Sequence, residues 1–304
     1  MLLLQQLYPF LQAIGFAIAN NLWQAAFIYI LYEAISGTFK LNSSAKYVFA
    51  VIAQTIVFVV FLISINHFYI LSFFAYKNNI PLQNSFTLNV SSTTINNILN
   101  SITKNSSVFL PYLAAIYLLS LAVLIIKWVF QYRNTQQYYY QTSPLFNSHW
   151  NNFIDDISHQ LNINKKIQLF VSEKISGPIT IGFFKPIILI PLATINHLSK
   201  EQMEAVLLHE IAHIKRHDYC INLFMTLIET ILFFNPFIYF IRKKIQKERE
   251  HCCDDWVLAY HYAPAEYAEA LLQLAYLSNV KSSALSMNAV KNEGLLLSRV
   301  KRLL

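Results

Sequence analysis

The chain has 304 residues, of which 13% are charged and 55% hydrophobic, with 23 Phe and 18 Tyr. A soluble domain carries about 25% charge, so this composition argues against an ordinary cytosolic enzyme. It also excludes a disordered chain, which could not keep so much apolar surface in water. The net charge of +7 comes with no nucleic-acid motif. Basic residues on the inner side of a membrane protein account for it, with no direct nucleic-acid partner.

The charges are unevenly placed. Residues 1–126 hold Lys40, Lys46, Lys77, Lys104 and a single acid, Glu33; all other charged residues follow. The first part reads as membrane and the second as a domain that meets water. Met1 to Tyr32 is uncharged, and its core from about residue 10 to 32 is long enough to span a bilayer, which needs roughly 20 residues. A second span is expected at about 47–70 and a third at 108–126, closed by Lys127. No basic start or small-residue cleavage site marks the first run as a signal peptide. Lys40 and Lys46 in the first loop, with Lys127 and Arg133 after the third span, predict the orientation. The N-terminus and the loop at 77–107 lie outside, and everything after Lys127 lies in the cytoplasm of a multi-pass inner-membrane protein. Asn20, Asn21 and Gln24 sit mid-span around Trp23, where polar groups hydrogen-bond to neighbouring helices.

In the water-facing part, Phe153 to Leu161 has helical spacing. Ile167–Val171 and Ile187–Ile190 are short β-rich runs, with turn signals at Gly177-Pro178 and Gly182 between them. They predict a hairpin or three-stranded sheet over about 166–191. The strand at Ile187–Ile190 could align an extended peptide along a sheet edge. Ser199 to Gln202 is a capping box that opens a helix running to His213 or beyond. Three Cys cannot form a disulfide framework. Adjacent Cys252 and Cys253 read as reduced cytosolic thiols.

The capped helix carries His209-Glu210-Ile211-Ala212-His213, the pattern H-E-x-x-H. Histidines four apart share one helical face and can reach one zinc ion, with a position left for water. Glu210 then stands beside that water as general base. A third ligand is needed. His217 is about 12 Å along the helix from His209 and cannot share the ion. Glu250 and Asp254, four apart, offer a ligand and an outer carboxylate that orients a ligand histidine. Glu248 has Cys252 at i+4 and no such partner. Cys253, on the Glu250 face, is the alternative ligand. Tyr219 to Ile241 looks like a fourth span, but crossing would part Glu250 from the histidines by roughly 30 Å. The segment must turn back, at Asn235-Pro236, as a membrane-associated helical hairpin.

These residues resemble the BlaR/MecR family of membrane zinc metallopeptidases. The resemblance rests on Phe183 to Pro191, Leu198-Ser199, His209 to Asp218 and Glu248 to Asp254, with Asn20 to Gln24 in the first span. It implies a mainly α membrane protein: a transmembrane region at 1–130 with three spans, then a gluzincin-like α+β peptidase domain at 131–304. It implies His209, His213 and Glu250 as zinc ligands and Glu210 as the catalytic base. It also implies an antirepressor, an endopeptidase that cuts a cytoplasmic transcriptional repressor when an outside signal arrives. Family members often continue into a fourth span and an outer sensor domain. This chain stops at Leu304, so the sensor is expected to be missing or to belong to a partner subunit. A quality-control or CAAX-processing membrane protease shares H-E-x-x-H, but its second motif reads E-x-x-A-D, which Cys253 argues against. An inactive scaffold would not need all four site residues. His251, His217 and Arg249 are candidates for stabilising the transition state.

Overall fold

The computed structural model describes residues 2–77, 109–130, 133, 143–144, 148–173, 175–260, 262–281 and 288–304. The expected outer loop lies outside them, apart from Lys77. The chain forms two units. One comprises Met1–Leu41, Val48–Phe130 and Met225–Lys243; the other comprises Asn42–Tyr47, Gln131–Phe224 and Lys244–Leu304.

The first unit is helical. Helices α1 (Leu2–Thr38), α2 (Ser43–Lys77) and α3 (Phe109–Phe130) are long and apolar enough to cross a membrane. They stand where three spans are expected; α1 and α2 extend past both expected bounds, and α3 past its expected end. Phe27, Ile63 and Leu119 lie exposed on them, as lipid-facing side chains do. A Cβ on Gly15 would lie 2.7 Å from the Leu110 carbonyl oxygen, so glycine lets the α1 and α3 backbones touch.

Two more helices enter this unit, α7 (Asp218–Ile231) and α8 (Pro236–Ala259). They form the expected hairpin, turning at Asn235-Pro236. Asn235 Oδ1 accepts from the Phe237 N–H at 3.0 Å, capping α8. Asn235 Nδ2 donates to Asn21 Oδ1 at 2.8 Å, while Asn21 Nδ2 donates to the Val57 carbonyl at 3.3 Å. Asn21 therefore packs helices together, as its mid-span position predicts. Asn20 donates within α1 to the Phe16 carbonyl. Glu229 and Arg242 pair across the hairpin at 2.6 Å, which offsets the cost of charge at that depth.

The second unit has a four-stranded sheet of β1 (Ser143–Pro144), β2 (Gln168–Ser172), β3 (Ile179–Ile181) and β4 (Ile187–Pro191), in the order β1-β2-β4-β3. The expected region holds β2 to β4. The two-residue β1 is too short to leave a sequence signal. β2 and β4 run parallel, with Phe170 opposite Leu189; β3 and β4 run antiparallel, with Thr180 opposite Ile188. The expectation that Ile187–Ile190 offers a sheet edge is corrected. β4 lies between β2 and β3, and the edges are β1 and β3. The reason is visible in its burial: every residue of β4 is buried. Alternate side chains serve two cores, Ile188 and Ile190 in the larger and Ile187 and Leu189 in the smaller. A continuous apolar run is what a strand covered on both faces requires.

Around the sheet lie α4 (Ser148–Gln160), α5 (Leu192–His197), α6 (Lys200–Lys215), α9 (Pro264–Lys281) and α10 (Asn288–Leu303). The larger core joins Ile154 of α4, Leu207, Leu208 and Ile211 of α6, Val257 of α8 and Leu303 of α10. At the β3–β4 turn Gly182 has φ +92°, and an added Cβ would lie 2.6 Å from the Lys185 carbonyl oxygen. Gly182→Ala is therefore expected to cost more than about 1 kcal/mol. Thermal unfolding of the full chain in mild detergent checks this, and an unchanged melt would show that the turn relaxes freely.

Candidate active site

Helix α6 begins at its capping box. Ser199 Oγ accepts from the Gln202 N–H at 3.2 Å, and Gln202 Oε1 accepts from the Ser199 N–H at 3.1 Å. Helical spacing then places His209 and His213 one turn apart, ring centroids 4.9 Å from each other. Helix α8 brings Glu250 to them, its Oε2 3.5 Å from His209 Nε2. One donor atom from each of His209, His213 and Glu250 lies within 4.8 Å of the other two. A second trio, His213, Asp218 and Cys253, is equally close.

Both histidines are held from behind. His213 Nδ1 is 2.8 Å from Asp218 Oδ2. His217, with φ 58°, reverses the chain after α6 so that Asp218 starts α7 within reach. The His217 ring itself rests on Phe183, centroids 5.6 Å apart, and is no part of the trio. His209 Nδ1 is 2.8 Å from the Tyr267 hydroxyl and 3.3 Å from Asp254 Oδ1. Asp254 therefore stands behind His209. Cys253 Sγ packs 3.3 Å from His213 Nδ1, on the side of that ring bonded to Asp218. Burial, with the Asp218 and Glu250 charges, pushes its thiol far up.

Glu250 lies between two guanidiniums. Arg249 Nη2 is 3.1 Å from its Oε1, and Arg299 Nη1 is 3.4 Å from its Oε2. Burial disfavours the carboxylate, yet the His209 hydrogen bond, His213 and both guanidiniums outweigh it and hold Glu250 well below the usual range. Burial disfavours charge on His209 too, as does Arg299. Hydrogen bonds to Asp254 and Glu250 prevail, raising its pKa to about 9. For Asp254, burial is again outweighed, by His209 and Arg299, and its carboxyl is held far down. Glu248 points elsewhere, pairing with His251 Nδ1 at 3.6 Å.

The trio opens on a cavity of about 370 Å³, also lined by Glu210, Thr180 of β3, Arg249, Asn222 and Arg299. Thr180 Oγ1 donates to Glu210 Oε2 at 2.7 Å. Of the three candidates for stabilising the transition state, Arg249 alone is among the lining residues. Two imidazoles and a carboxylate on an open cavity are the donor set of a catalytic zinc centre. The engaged Nδ1 atoms leave both Nε2 atoms for the ion. Sequence reasoning missed Thr180, Tyr267 and Arg299 entirely, and it saw Asp218 only as part of a resemblance. Asp218 had a local signal, five residues after His213; Tyr267 and Arg299 had none.

Three helices of membrane-crossing length and a His–His–Glu trio on a cavity are the make-up a membrane metallopeptidase needs. A family model described as BlaR1 peptidase M56 matches residues 26–303, and the chain belongs to that family. It is 33% identical over 129 residues to the regulatory protein BlaR1 of Bacillus licheniformis, covering 42% of this chain and 21% of that one. It is 26% identical over 142 residues to the methicillin resistance mecR1 protein of Staphylococcus aureus, covering 46% and 24%. The matches thus span under a quarter of these relatives' lengths. Among solved structures it is similar to S. mikatae Ste24p, with a TM-score of 0.41 and 14% identity over 97% of this chain and 99% of that one.

Proposed function

We propose that the chain is a zinc endopeptidase of the inner membrane that cuts a cytoplasmic transcriptional repressor. The observation that carries the reading is the meeting of His209, His213 and Glu250 with Glu210 on one cavity, beside the edge strand β3. Zinc held by that trio would supply Lewis acidity to the scissile carbonyl and to water. Glu210 takes the proton of the attacking water and returns it to the leaving amine. Thr180 fixes the Glu210 rotamer through Oε2 and leaves Oε1 to the reacting groups. Arg249, which also lines the cavity, is the candidate to meet charge developing on the carbonyl oxygen. Pro178, Ile179 and Thr180 line the cavity, and the outer edge of β3 offers backbone groups to an extended segment. That favours internal cleavage of a flexible stretch over trimming of a chain end. Lys40, Lys46, Lys127 and Arg133 favour a cytoplasmic peptidase unit. A relative named as a regulatory protein favours a repressor as substrate.

The test compares whole-cell peptide profiles of wild type and Glu210→Gln. A DNA-binding repressor should stay intact in the variant and be cleaved in wild type. Accumulation of damaged membrane proteins, with no repressor changed, would instead assign the chain to quality control.

A further inference from the structure

We propose that Arg299 of α10 is a positioning residue that holds Asp254 and Tyr267 in register behind Nδ1 of His209, so that Nε2 stays aimed at the metal position and the ion is bound more tightly. The inference rests on the reading of His209 as a ligand. Arg299 grips Asp254 with a two-pronged fork, Nε to Oδ2 at 3.0 Å and Nη2 to Oδ1 at 2.6 Å. Nη2 also donates to the Tyr267 hydroxyl oxygen at 3.1 Å.

Counting protons decides the tautomer. The Tyr267 hydroxyl has one hydrogen, which goes to Asp254 Oδ1 at 2.7 Å. Its oxygen already accepts from Arg299. The remaining contact, 2.8 Å to His209 Nδ1, must then carry a proton of the histidine. His209 is thus protonated on Nδ1, and Nε2 is the nitrogen left for the ion. Take the arginine away and the Tyr267 hydroxyl loses the donor that holds it in place behind Nδ1. Asp254, nearly fully buried, would also lose its bidentate partner. Lysine cannot replace this geometry, because an ammonium is a point donor and not a planar fork.

Helix α10 has other anchors. Leu303 is buried, Leu296 and Val300 pack on the larger core, Arg302 pairs with Asp255 and donates to the His251 carbonyl at 3.0 Å. Arg299 can therefore be altered without releasing the helix.

The experiment measures zinc affinity of the full chain in detergent by competition with a chromophoric chelator. Arg299→Gln should weaken zinc about 10–100-fold, as loss of an outer-shell partner does, and Arg299→Lys should recover only part of this. Arg302→Gln, on the same helix, should bind as wild type. Adding Arg299→Gln to Asp254→Asn should cost clearly less than the sum of the two single losses, since the two side chains share the fork. Wild-type affinity in Arg299→Gln, or additive losses in the double variant, would overturn the inference. A wild-type chain that takes up no zinc would overturn the zinc reading itself.

Discussion

Glu210→Gln is expected to carry zinc at the wild-type ratio of one per chain and to hydrolyse peptide about 10²–10⁴-fold more slowly. Glutamine keeps the length of the side chain and can still accept from Thr180, so the buried packing of α6 is preserved. What it loses is basicity, the property the proposed role needs. Glu210 stands outside the trio of His209, His213 and Glu250, so the metal should be indifferent to the change. Metal analysis and a quenched-peptide assay on one purified sample check both halves. Zinc loss would make Glu210 a ligand, and retained turnover would place the base elsewhere.

Removing Glu250 should empty the site. Glu250→Ala deletes a proposed ligand and also leaves Arg249 and Arg299 facing the centre with no carboxylate between them. Two guanidiniums turned toward a dication oppose its binding, so the loss should exceed the 10–100-fold of an outer-shell change. The double variant His209→Ala, His213→Ala should be equally empty. Glu248→Ala should retain zinc, since its carboxylate pairs with His251. Cys253→Ala should retain it as well, because this neutral thiol packs behind His213 and away from the proposed coordinating nitrogen. If Cys253→Ala empties the site while Glu250→Ala does not, the ion belongs to the trio of His213, Asp218 and Cys253.

What was legible in the sequence is what short-range geometry dictates. The capping box at Ser199, the i, i+4 histidines and the turn at Asn235-Pro236 each follow from helical rise and backbone hydrogen bonding within a few residues. The three spans follow from apolar length alone. The hairpin follows from a distance argument, since the proposed ligands cannot be parted by a bilayer. The tertiary structure alone decided the rest. Glu250 and Cys253 share one helical face at i, i+3, and only the packing of α8 against α6 sends the carboxylate to Nε2 of His209 and the thiol to Nδ1 of His213. Ile187–Ile190 reads as any apolar strand; strand order made it central and left β3 to border the cavity. Tyr267 and Arg299 are separated from His209 by 58 and 90 residues. No periodicity connects positions so distant, and their hydrogen bonds exist only because α9 and α10 fold against the same core as α6.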